Sequence, residues 1–320
     1  MFSLDELEAA ALLVHRHVLP TPQHAWPLLA ERLGCPVVVK HENHTPLGAF
    51  KLRGGLTYMD WLGRCQPAVA GVVCATRGNH GQSVAYAARR AGLGCTIVVP
   101  HGNSVEKNAA MRALGGTLIE HGEDFQESLE HAQRLAADRG LHPMPSYHRE
   151  LVRGIASYGL ELFHAAPELK RVYVPIGLGS GINGVLAARD ALGLSCDIVG
   201  VVSAQAPAYL LSFERGQFAE APVTTLLGDG MACRTPNAEA LEAIWRQVAR
   251  IVAVSDAELA EAMRLYFSAT HNVAEGAGAA ALAAALKEPR RAGEAVGLVL
   301  SGGNVDRPLY ARVLGGERFD

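Results

Sequence analysis

The segment Ala49-Phe50-Lys51-Leu52-Arg53-Gly54-Gly55 places one lysine between two apolar side chains and close to a pair of glycines. Glycines let the backbone approach a flat ligand closely, and apolar neighbours remove water from the amine. Desolvation lowers the pKa of a lysine, and a neutral amine is a nucleophile towards an aldehyde. Taken alone, the segment also fits a surface lysine in a glycine-bounded turn. Other motifs in the chain are needed to distinguish the two interpretations.

Outward from this lysine, apolar runs alternate with helical segments. The run 36–40 predicts a buried strand before it, and the lysine opens a helix that extends through Tyr58 and Trp61. From about residue 70 to 145 the alternation predicts a compact βαβα unit. It resumes at residue 154 and ends in a buried strand at 295–300. The chain is therefore expected to be an α/β protein with a large domain, residues 1–54 and 150–320, and a small inserted domain, residues 55–149.

Two glycine-rich turns each follow a predicted strand and precede a predicted helix. The first is Thr76-Arg77-Gly78-Asn79-His80-Gly81, and the second is Gly177-Leu178-Gly179-Ser180-Gly181. This arrangement presents backbone N–H groups and a helix N-terminus to an anion or to a polar ring substituent. A phosphate requires converging N–H donors from a loop that can approach closely, and the second turn offers them. Close packing of a helix start on its strand would also explain that turn.

With the lysine segment and Ser301-Gly302-Gly303-Asn304, these turns make four motifs, and they resemble those of the fold-type II pyridoxal 5'-phosphate enzymes, specifically the serine/threonine dehydratase group. The stretch Glu275-Gly276-Ala277-Gly278 also resembles a sequence of that family. The resemblance extends from the lysine segment through Asn304. It implies a fold like that of the tryptophan synthase β subunit, with two open twisted sheets flanked by helices, and pyridoxal 5'-phosphate as the cofactor. The turn sequences look closest to the branch that includes phenylserine and hydroxyectoine-utilisation dehydratases.

The resemblance also implies roles for individual residues. Lys51 corresponds to the lysine that holds the cofactor and removes the α-proton of the substrate, and Asn79 to the residue that bonds the ring hydroxyl. Ser301 corresponds to the serine that faces the pyridine nitrogen, while Glu275 is expected either to face the ring or to cap the following helix. The expected cofactor-binding residues are Phe50, Lys51, Asn79, Gly177, Leu178, Gly179, Ser180, Gly181, Glu275 and Ser301, and the expected substrate-binding residues are Thr76, Arg77, Gly78 and His80.

The implied activity is that of an ammonia-lyase, or dehydratase, which eliminates water from a 3-hydroxy amino acid of the L-threonine or L-serine type and yields a 2-oxo acid and ammonia. An uncharged serine opposite the ring nitrogen suits β-elimination more than transamination. Arg77 stands where related racemases have a proton-transferring serine, so racemisation is not expected. Arg77 either clamps a substrate carboxylate or has a structural role at the surface. A bulkier or acidic substrate, such as phenylserine, 3-hydroxyaspartate or a hydroxyectoine-derived amino acid, is the alternative.

No metal is expected at the position where metal-binding relatives carry carboxylates. The segment Ser203-Ala204-Gln205-Ala206-Pro207-Ala208-Tyr209 follows a predicted strand and contains neither Asp nor Glu. Hard divalent cations require oxygen ligands of that kind. The sequence therefore predicts a reaction without a divalent cation at this site.

Composition narrows the class of partner. The formal net charge is −3, which provides no basic field for nucleic acid or an anionic membrane. Six cysteines lie scattered without a C-x-x-C pair, which fits free thiols in a reducing cytoplasm. The first residues are acidic where a signal peptide is basic, and no run of ~18 apolar residues occurs. We expect a cytoplasmic enzyme with a small amino-acid substrate and, by the resemblance, a homodimer.

Two other functions compete with this interpretation. Residues 179–184 form a G-x-G-x-x-G motif after a strand, as in nicotinamide-dependent oxidoreductases. That fingerprint needs an acidic residue at the end of the next strand, where this chain has Ser203, Ala204 and Gln205. The other alternative is a pyridoxal 5'-phosphate-binding protein without turnover, acting as a carrier or sensor.

Overall fold

A computed structural model describes residues 2–289 and 293–319, which contain two sheets. The six-stranded sheet has the order β1-β2-β10-β7-β8-β9, and the four-stranded sheet has the order β5-β4-β3-β6. Every pairing is parallel except that of β1 with β2. The strands are β1 Gln23–Ala25, β2 Val37–His41, β3 Gly71–Ala75, β4 Gly94–Val99, β5 Thr117–Glu120, β6 His142–Pro143, β7 Arg171–Pro175, β8 Asp197–Ser203, β9 Arg250–Val254 and β10 Val296–Leu300.

Helices connect the parallel strands and cover the faces of both sheets. Parallel strands are joined by crossovers that are usually helical, so this alternation follows from the pairing. The helices of the described ranges are α1 Leu4–His15, α2 Pro27–Leu33, α3 Lys51–Cys65, α4 Asn79–Arg90, α5 Val105–Ala113, α6 Phe125–Arg139, α7 Arg149–Ala165, α8 Ser180–Ala191, α9 Ala208–Arg215, α10 Ala238–Gln247, α11 Asp256–Thr270, α12 Gly276–Lys287 and α13 Arg307–Leu314.

Each sheet is buried between layers of helices. Side chains of α7, α8 and α10 form one core cluster with the six-stranded sheet, and side chains of α2, α11 and α12 form another. The four-stranded sheet packs against α3, α4 and α5 on one face and against α6 on the other. Strands β3 and β10 are buried along their whole length, as expected for strands covered on both faces. The predicted α/β fold with two helix-flanked sheets is confirmed.

Several predicted element boundaries differ from the structure. Helix α4 begins at Asn79, three residues before the predicted start at Gln82, and α7 begins at Arg149 rather than at Gly154. The side chain of His148 accepts a hydrogen bond from the Glu150 N–H and so caps α7, although histidine is not a usual N-cap residue. The short elements β1, α2 and α13 were not predicted.

The two sheets use different parts of the chain. The four-stranded sheet comes from residues 71–143, and the six-stranded sheet comes from residues 23–41 and 171–300. The predicted domain boundaries fall inside α3 and one residue into α7, and these two helices pack tightly together. A Cβ atom on Gly154 would overlap the carbonyl group of Arg53. The division into residues 1–54 with 150–320 and residues 55–149 stays a proposal.

The candidate site residues follow the carboxyl ends of parallel strands. Lys51 follows β2, the turn 76–81 follows β3, the turn 177–181 follows β7 and Ser301 follows β10. In open α/β sheets, ligands bind in the crevice outside these strand ends. The fold therefore collects the four motifs on one side of the molecule.

Candidate active site

The lysine segment is hydrogen-bonded to the loop after β10. Lys51 is the first residue of α3, and the N–H of the preceding Phe50 donates to the Ser301 carbonyl oxygen at 3.1 Å. The Gly303 N–H donates to the carbonyl oxygen of Gly48 at 2.9 Å. Gly48 has φ +67°, a conformation that L side chains rarely adopt. These bonds fix the backbone on which the amine is carried.

The Lys51 side chain is partly buried, and its amine lies beside an aromatic ring. Its Nζ atom is 4.7 Å from the centre of the Phe50 ring. Burial lowers the pKa of Lys51 to about 8, against the Glu275 carboxylate, which raises it. A larger fraction of this amine is neutral near neutral pH than of an exposed lysine. The structure thus gives Lys51 the property that the sequence predicted for a nucleophile.

The amide of Asn79 is held from both ends. Its Nδ2 atom donates to Glu275 Oε1 at 2.7 Å, and its Oδ1 atom accepts from Asn304 Nδ2 at 2.9 Å. Glu275 precedes α12, but its side chain makes no capping hydrogen bond there. The contact with Asn79 therefore replaces the helix-capping alternative for Glu275. One amide hydrogen of Asn79 remains for another acceptor.

The glycine-rich turn after β7 presents a row of free donors. The N–H groups of residues 177–182 donate to no acceptor within the described part of the chain. Gly179 has φ +95°, and a Cβ there would lie 2.6 Å from the Ala240 Cβ, while a Cβ on Gly177 would lie 2.5 Å from the Gly230 carbonyl oxygen. The turn opens α8, so the positive end of the helix adds to these donors. The geometry suits a phosphate.

The glycine-rich turn after β7 and Lys51 both lie beside the Phe50 ring. A Cβ on Gly181 would come 3.3 Å from the Phe50 ring. Tyr158 lies edge-on to the same ring, with centroids 6.0 Å apart, and its hydroxyl donates to the Gly181 carbonyl oxygen at 3.1 Å. Phe50 thus spans the distance between the donors of the turn and the amine of Lys51.

Ser301 is buried at the end of β10. Its hydroxyl donates to the carbonyl oxygen of Ala277 at 3.4 Å, which is a long hydrogen bond. The Glu275 N–H donates to the carbonyl oxygen of Gly302 at 3.1 Å, so the loop after β10 lies directly against the start of α12. Hydrogen bonds therefore link the loop of Ser301 to Glu275 as well as to the lysine segment.

The expected substrate-binding residues form the turn after β3. The Thr76 hydroxyl oxygen accepts from the N–H groups of Gly78 at 3.0 Å and Gly81 at 3.3 Å, so it shapes the turn itself. His80 is buried and bonds to the backbone of Met144, and burial lowers its pKa to about 3. Its Nε2 atom has no hydrogen-bond partner in the described ranges. His80 is therefore a neutral imidazole with one free nitrogen.

Arg77 points away from the buried part of the turn and forms an ion pair. Its side chain is 45% exposed, and its Nε atom lies 2.8 Å from Asp229 Oδ1. The ammonium group of Lys107 lies 3.1 Å from the other oxygen of Asp229 and 3.6 Å from Glu275 Oε2. No sequence motif predicted a role for Asp229 or Lys107 in the site. The glycines at 228 and 230 that flank the aspartate were the available signal for Asp229, and Lys107 gave none.

A cavity of about 260 Å³ adjoins this group of charges. Glu275 lies between the cavity and Asn79: it lines the cavity, and its Oε1 atom accepts a hydrogen bond from the Asn79 amide. The charged and amide side chains that line the cavity include Arg77, Lys107, Asp229, Glu275, Asn304 and Asp306.

The residues fit pyridoxal 5'-phosphate. The aldehyde of that cofactor needs an amine with a lowered pKa, and Lys51 provides one. The phosphate needs unpaired donors, and the turn after β7 provides six consecutive N–H groups. The ring hydroxyl needs a donor or acceptor, and the amide of Asn79 has a free hydrogen.

Residues 2–289 and 293–319 contain no group of three or more His, Cys, Asp or Glu side chains that could hold a metal ion. Within these ranges there is also no helix of sufficient length and apolar character to cross a membrane. The absence of a divalent cation stays a prediction.

Comparison with known proteins agrees with the site. Residues 14–302 match the family described as pyridoxal-phosphate dependent enzymes. The chain is 32% identical over 317 residues to an L-threonine ammonia-lyase of Thermotoga maritima, covering 98% of this chain and 78% of the relative. It is 32% identical over 299 residues to an L-threo-3-hydroxyaspartate ammonia-lyase of a Pseudomonas species, covering 92% and 93% of the two chains.

A solved structure shares the fold. The processed form of threonine deaminase isoform 2 from Solanum lycopersicum superimposes with a TM-score of 0.89 at 26% identity, covering 98% of this chain and 94% of the other. The predictions of pyridoxal 5'-phosphate as cofactor and of an enzyme of the lyase class are confirmed, and the nicotinamide alternative has no support. The chain belongs to the pyridoxal-phosphate dependent enzymes, in the fold-type II group of threonine ammonia-lyases that its four motifs predicted.

Proposed function

We propose that this chain is a pyridoxal 5'-phosphate-dependent ammonia-lyase that eliminates water from a 3-hydroxy amino acid of the L-threonine or L-serine type. The observation that carries the proposal is the partly buried Lys51 side chain, whose amine has a pKa of about 8. This amine lies beside the Phe50 ring, which also adjoins the glycine-rich turn after β7. The similarity to an L-threonine ammonia-lyase over 98% of the chain supports the substrate class.

In this proposal the cofactor is held by residues from both sheets. The free N–H groups of Gly177, Leu178, Gly179, Ser180 and Gly181 receive its phosphate, and Lys51 receives its aldehyde. Phe50 would contact the cofactor ring, Asn79 would donate to the ring hydroxyl, and Ser301 would face the pyridine nitrogen. Glu275 fixes the Asn79 amide. When bound, pyridoxal 5'-phosphate supplies a ring that withdraws electrons from the α-carbon of the substrate.

Lys51 is the proposed base of the reaction. Its lowered pKa leaves a fraction of the amine free to accept the proton from the α-carbon at neutral pH. The β-hydroxyl then leaves as water with a proton that the Lys51 ammonium group returns, and addition of water to the released enamine gives the 2-oxo acid and ammonia. The neutral ring of His80 adds no second positive charge beside the lysine, which keeps the amine basic enough to take that proton.

The turn after β3 is the proposed site for the α-carboxylate of the substrate. Thr76 already accepts from the N–H groups of Gly78 and Gly81. The N–H groups of Asn79 and His80 lie between them at the start of α4 and donate to no acceptor among the described residues. A helix N-terminus with free N–H groups attracts a carboxylate. Thr76 and Gly78 then shape this site, and Arg77 borders it.

An acidic 3-hydroxy amino acid is the second candidate substrate. Only Nε of Arg77 is paired, and neither terminal nitrogen has a hydrogen-bond partner in the described part of the chain. A planar pair of N–H groups binds a carboxylate through two hydrogen bonds. The similarity to an L-threo-3-hydroxyaspartate ammonia-lyase favours this candidate as well.

We also propose that the enzyme is cytoplasmic and forms a homodimer. Each chain would consist of the two domains given above. The free cysteines support a reducing compartment, since Cys74, Cys95, Cys196 and Cys233 are buried without forming disulfides. Analytical ultracentrifugation of the full chain checks the dimer, and a sedimentation coefficient of a monomer at micromolar concentration would contradict it.

The function is tested by 2-oxo acid release from L-threonine, L-serine, threo-3-hydroxyaspartate and phenylserine. The wild type is compared with Lys51→Ala, with Lys287→Ala as a surface control, because Lys287 is 48% exposed and pairs with Glu258. We expect turnover by the wild type and the control alone. If the wild type binds pyridoxal 5'-phosphate but turns over none of the four, the protein is a carrier or sensor instead.

A further inference from the structure

Lys107 connects the two sheets through two carboxylates. It lies on α5, beside the four-stranded sheet, whereas Asp229 and Glu275 belong to the part of the chain that forms the six-stranded sheet. The Lys107 ammonium group lies 3.1 Å from Asp229 and 3.6 Å from Glu275, and the lysine is only 8% exposed. Buried charges of this kind are found paired, because an unpaired one would be very costly.

Glu275 depends on this lysine for one of its two oxygens. Its Oε1 atom accepts from the Asn79 amide, while Oε2 is buried and accepts no hydrogen bond within the described ranges. Lys107 is the cation beside that second oxygen. The charge of Lys107 therefore supports the carboxylate that fixes Asn79.

The stem of Lys107 also touches the turn that carries Asn79. A Cβ on Gly78 would overlap the Cδ atom of Lys107, so the absence of a side chain at this position makes room for the lysine. Lys107 thus contacts the Asn79 turn through its methylene groups and the Asn79 partner Glu275 through its charge. Neither contact involves the amine of Lys51.

We propose that Lys107 is a positioning residue of the active site, which acts through Glu275 to hold the Asn79 amide where it meets the cofactor. The proposal rests on the placement of the cofactor given above. Asp229 and Glu275 both pair with the ammonium group of Lys107. Asp229 also forms an ion pair with Arg77, which lies in the turn after β3. The four groups form one charge network across the cleft between the sheets.

The charges around Glu275 predict opposite effects for two substitutions. Burial raises the pKa of Glu275, and the nearby charge of Asp229 also raises it. The charges of Lys107 and Lys51 and the hydrogen bond from the Asn79 amide lower this pKa. Lys107→Met therefore raises the pKa of Glu275 further, whereas Asp229→Asn lowers it. A general loosening of the site would not give shifts of opposite sign.

The test is an infrared titration of the Glu275 carboxyl group in the full chain, before and after loading with pyridoxal 5'-phosphate. The band is assigned by its loss in Glu275→Gln. We expect the midpoint to rise by about one pH unit in Lys107→Met and to fall in Asp229→Asn. Lys107→Arg keeps the charge and should stay near the wild type, and the surface variant Lys287→Met should not shift.

A second readout is the affinity for pyridoxal 5'-phosphate. Lys107→Met should bind it about tenfold more weakly, because the Asn79 partner loses its support. The same substitution should add no further loss in a Glu275→Gln background, because Lys107 acts through that carboxylate. If Lys107→Met does not fold, Lys107→Gln, which also removes the charge, takes its place in both measurements.

Three results would overturn the proposal: shifts of the same sign, no shift in either variant, or an equal loss of affinity in the Glu275→Gln background. The infrared titration requires no turnover, so its failure would remove the role of Lys107 and leave the ammonia-lyase untouched. If the pKa of Glu275 shifts as expected but the protein has no turnover, the role of Lys107 stands and the ammonia-lyase activity is refuted.

Discussion

The guanidinium group of Arg53 contacts the carboxylate of Glu42 through two N–H groups, with Nε–Oε2 at 2.7 Å and Nη2–Oε1 at 2.9 Å, and both side chains are fully buried. Glu161 accepts from the same guanidinium group, and Lys40 lies 2.6 Å from Glu161. Two positive and two negative charges balance in this cluster. Arg53 follows Lys51 by two residues in α3, so the cluster fixes the first turn of the helix that carries the amine.

Arg53→Met should therefore destabilise the protein strongly. Removing one member of a buried ion pair typically costs ~3–5 kcal/mol, and here Glu42 would stay buried without a cation, while Glu161 would keep Lys40. Urea unfolding measures the loss. The matched control is Arg64→Met in the same helix, where an exposed pair with Asp60 should contribute at most ~0.5 kcal/mol. Equal losses in the two variants would show that the buried cluster does not hold α3.

The reactivity of Lys51 should follow its lowered pKa. In the protein without cofactor, the rate of labelling by an amine-selective reagent should rise with pH through a midpoint of about 8, because only the neutral amine reacts. Glu275→Gln should lower that midpoint further, since the Glu275 carboxylate raises the pKa of Lys51. Peptide mass mapping assigns the label to Lys51. A midpoint near that of ordinary lysines would refute the lowered pKa of this amine.

Gly179→Ala should weaken the binding of pyridoxal 5'-phosphate. Gly179 has φ +95°, and the added Cβ would lie 2.6 Å from the Ala240 Cβ, so the donor turn must shift. Gly193→Ala is the matched control just beyond the other end of α8, with φ +63° and open space around the Cβ position. Both variants should lose on the order of 1 kcal/mol of stability from backbone strain.

Affinity separates the two glycine variants. We expect about tenfold weaker cofactor binding in Gly179→Ala and no change in Gly193→Ala, as measured by equilibrium dialysis. If both bind the cofactor as the wild type does, the turn after β7 is not the phosphate site.

Arg77→Met distinguishes the two candidate substrates. If the terminal nitrogens of Arg77 bind a second substrate carboxylate, kcat/KM for threo-3-hydroxyaspartate should fall by about 100-fold while that for L-threonine changes little. If Arg77 serves only its ion pair with Asp229, the two values should fall together. Steady-state kinetics on both substrates gives the answer, with Arg64→Met as the exposed control.

Local sequence signals sufficed for the residues of the four motifs. Glycines mark turns where a Cβ would collide, as at Gly177 and Gly179, and such turns after strands lie at the same edge of a parallel sheet. The order of Lys51, Asn79, the glycine-rich turn after β7 and Ser301 along the chain thus predicted that they lie at one edge. Phe50 lies between Lys51 and this turn, and its expected role in cofactor binding stays a prediction.

Contacts between the two sheets were beyond the reach of such signals. Lys107 and Asp229 are 122 residues apart in sequence, and nothing local to either one indicates its partner. Their ion pair follows from how the four-stranded sheet lies against the six-stranded sheet. The sequence also placed the start of α7 too late. The side chain that caps this helix belongs to His148, and histidine is not one of the residue types that signal a helix start.

The balance of products formed from L-threonine tests the proposed ammonia-lyase activity directly. The wild type, loaded with pyridoxal 5'-phosphate and assayed with a chelator present, should release ammonia and 2-oxo acid in equal amounts, and Lys51→Ala should release neither. Loss of activity on chelation would contradict the prediction that no divalent cation is needed. Absence of both products from every 3-hydroxy amino acid offered would contradict the ammonia-lyase itself.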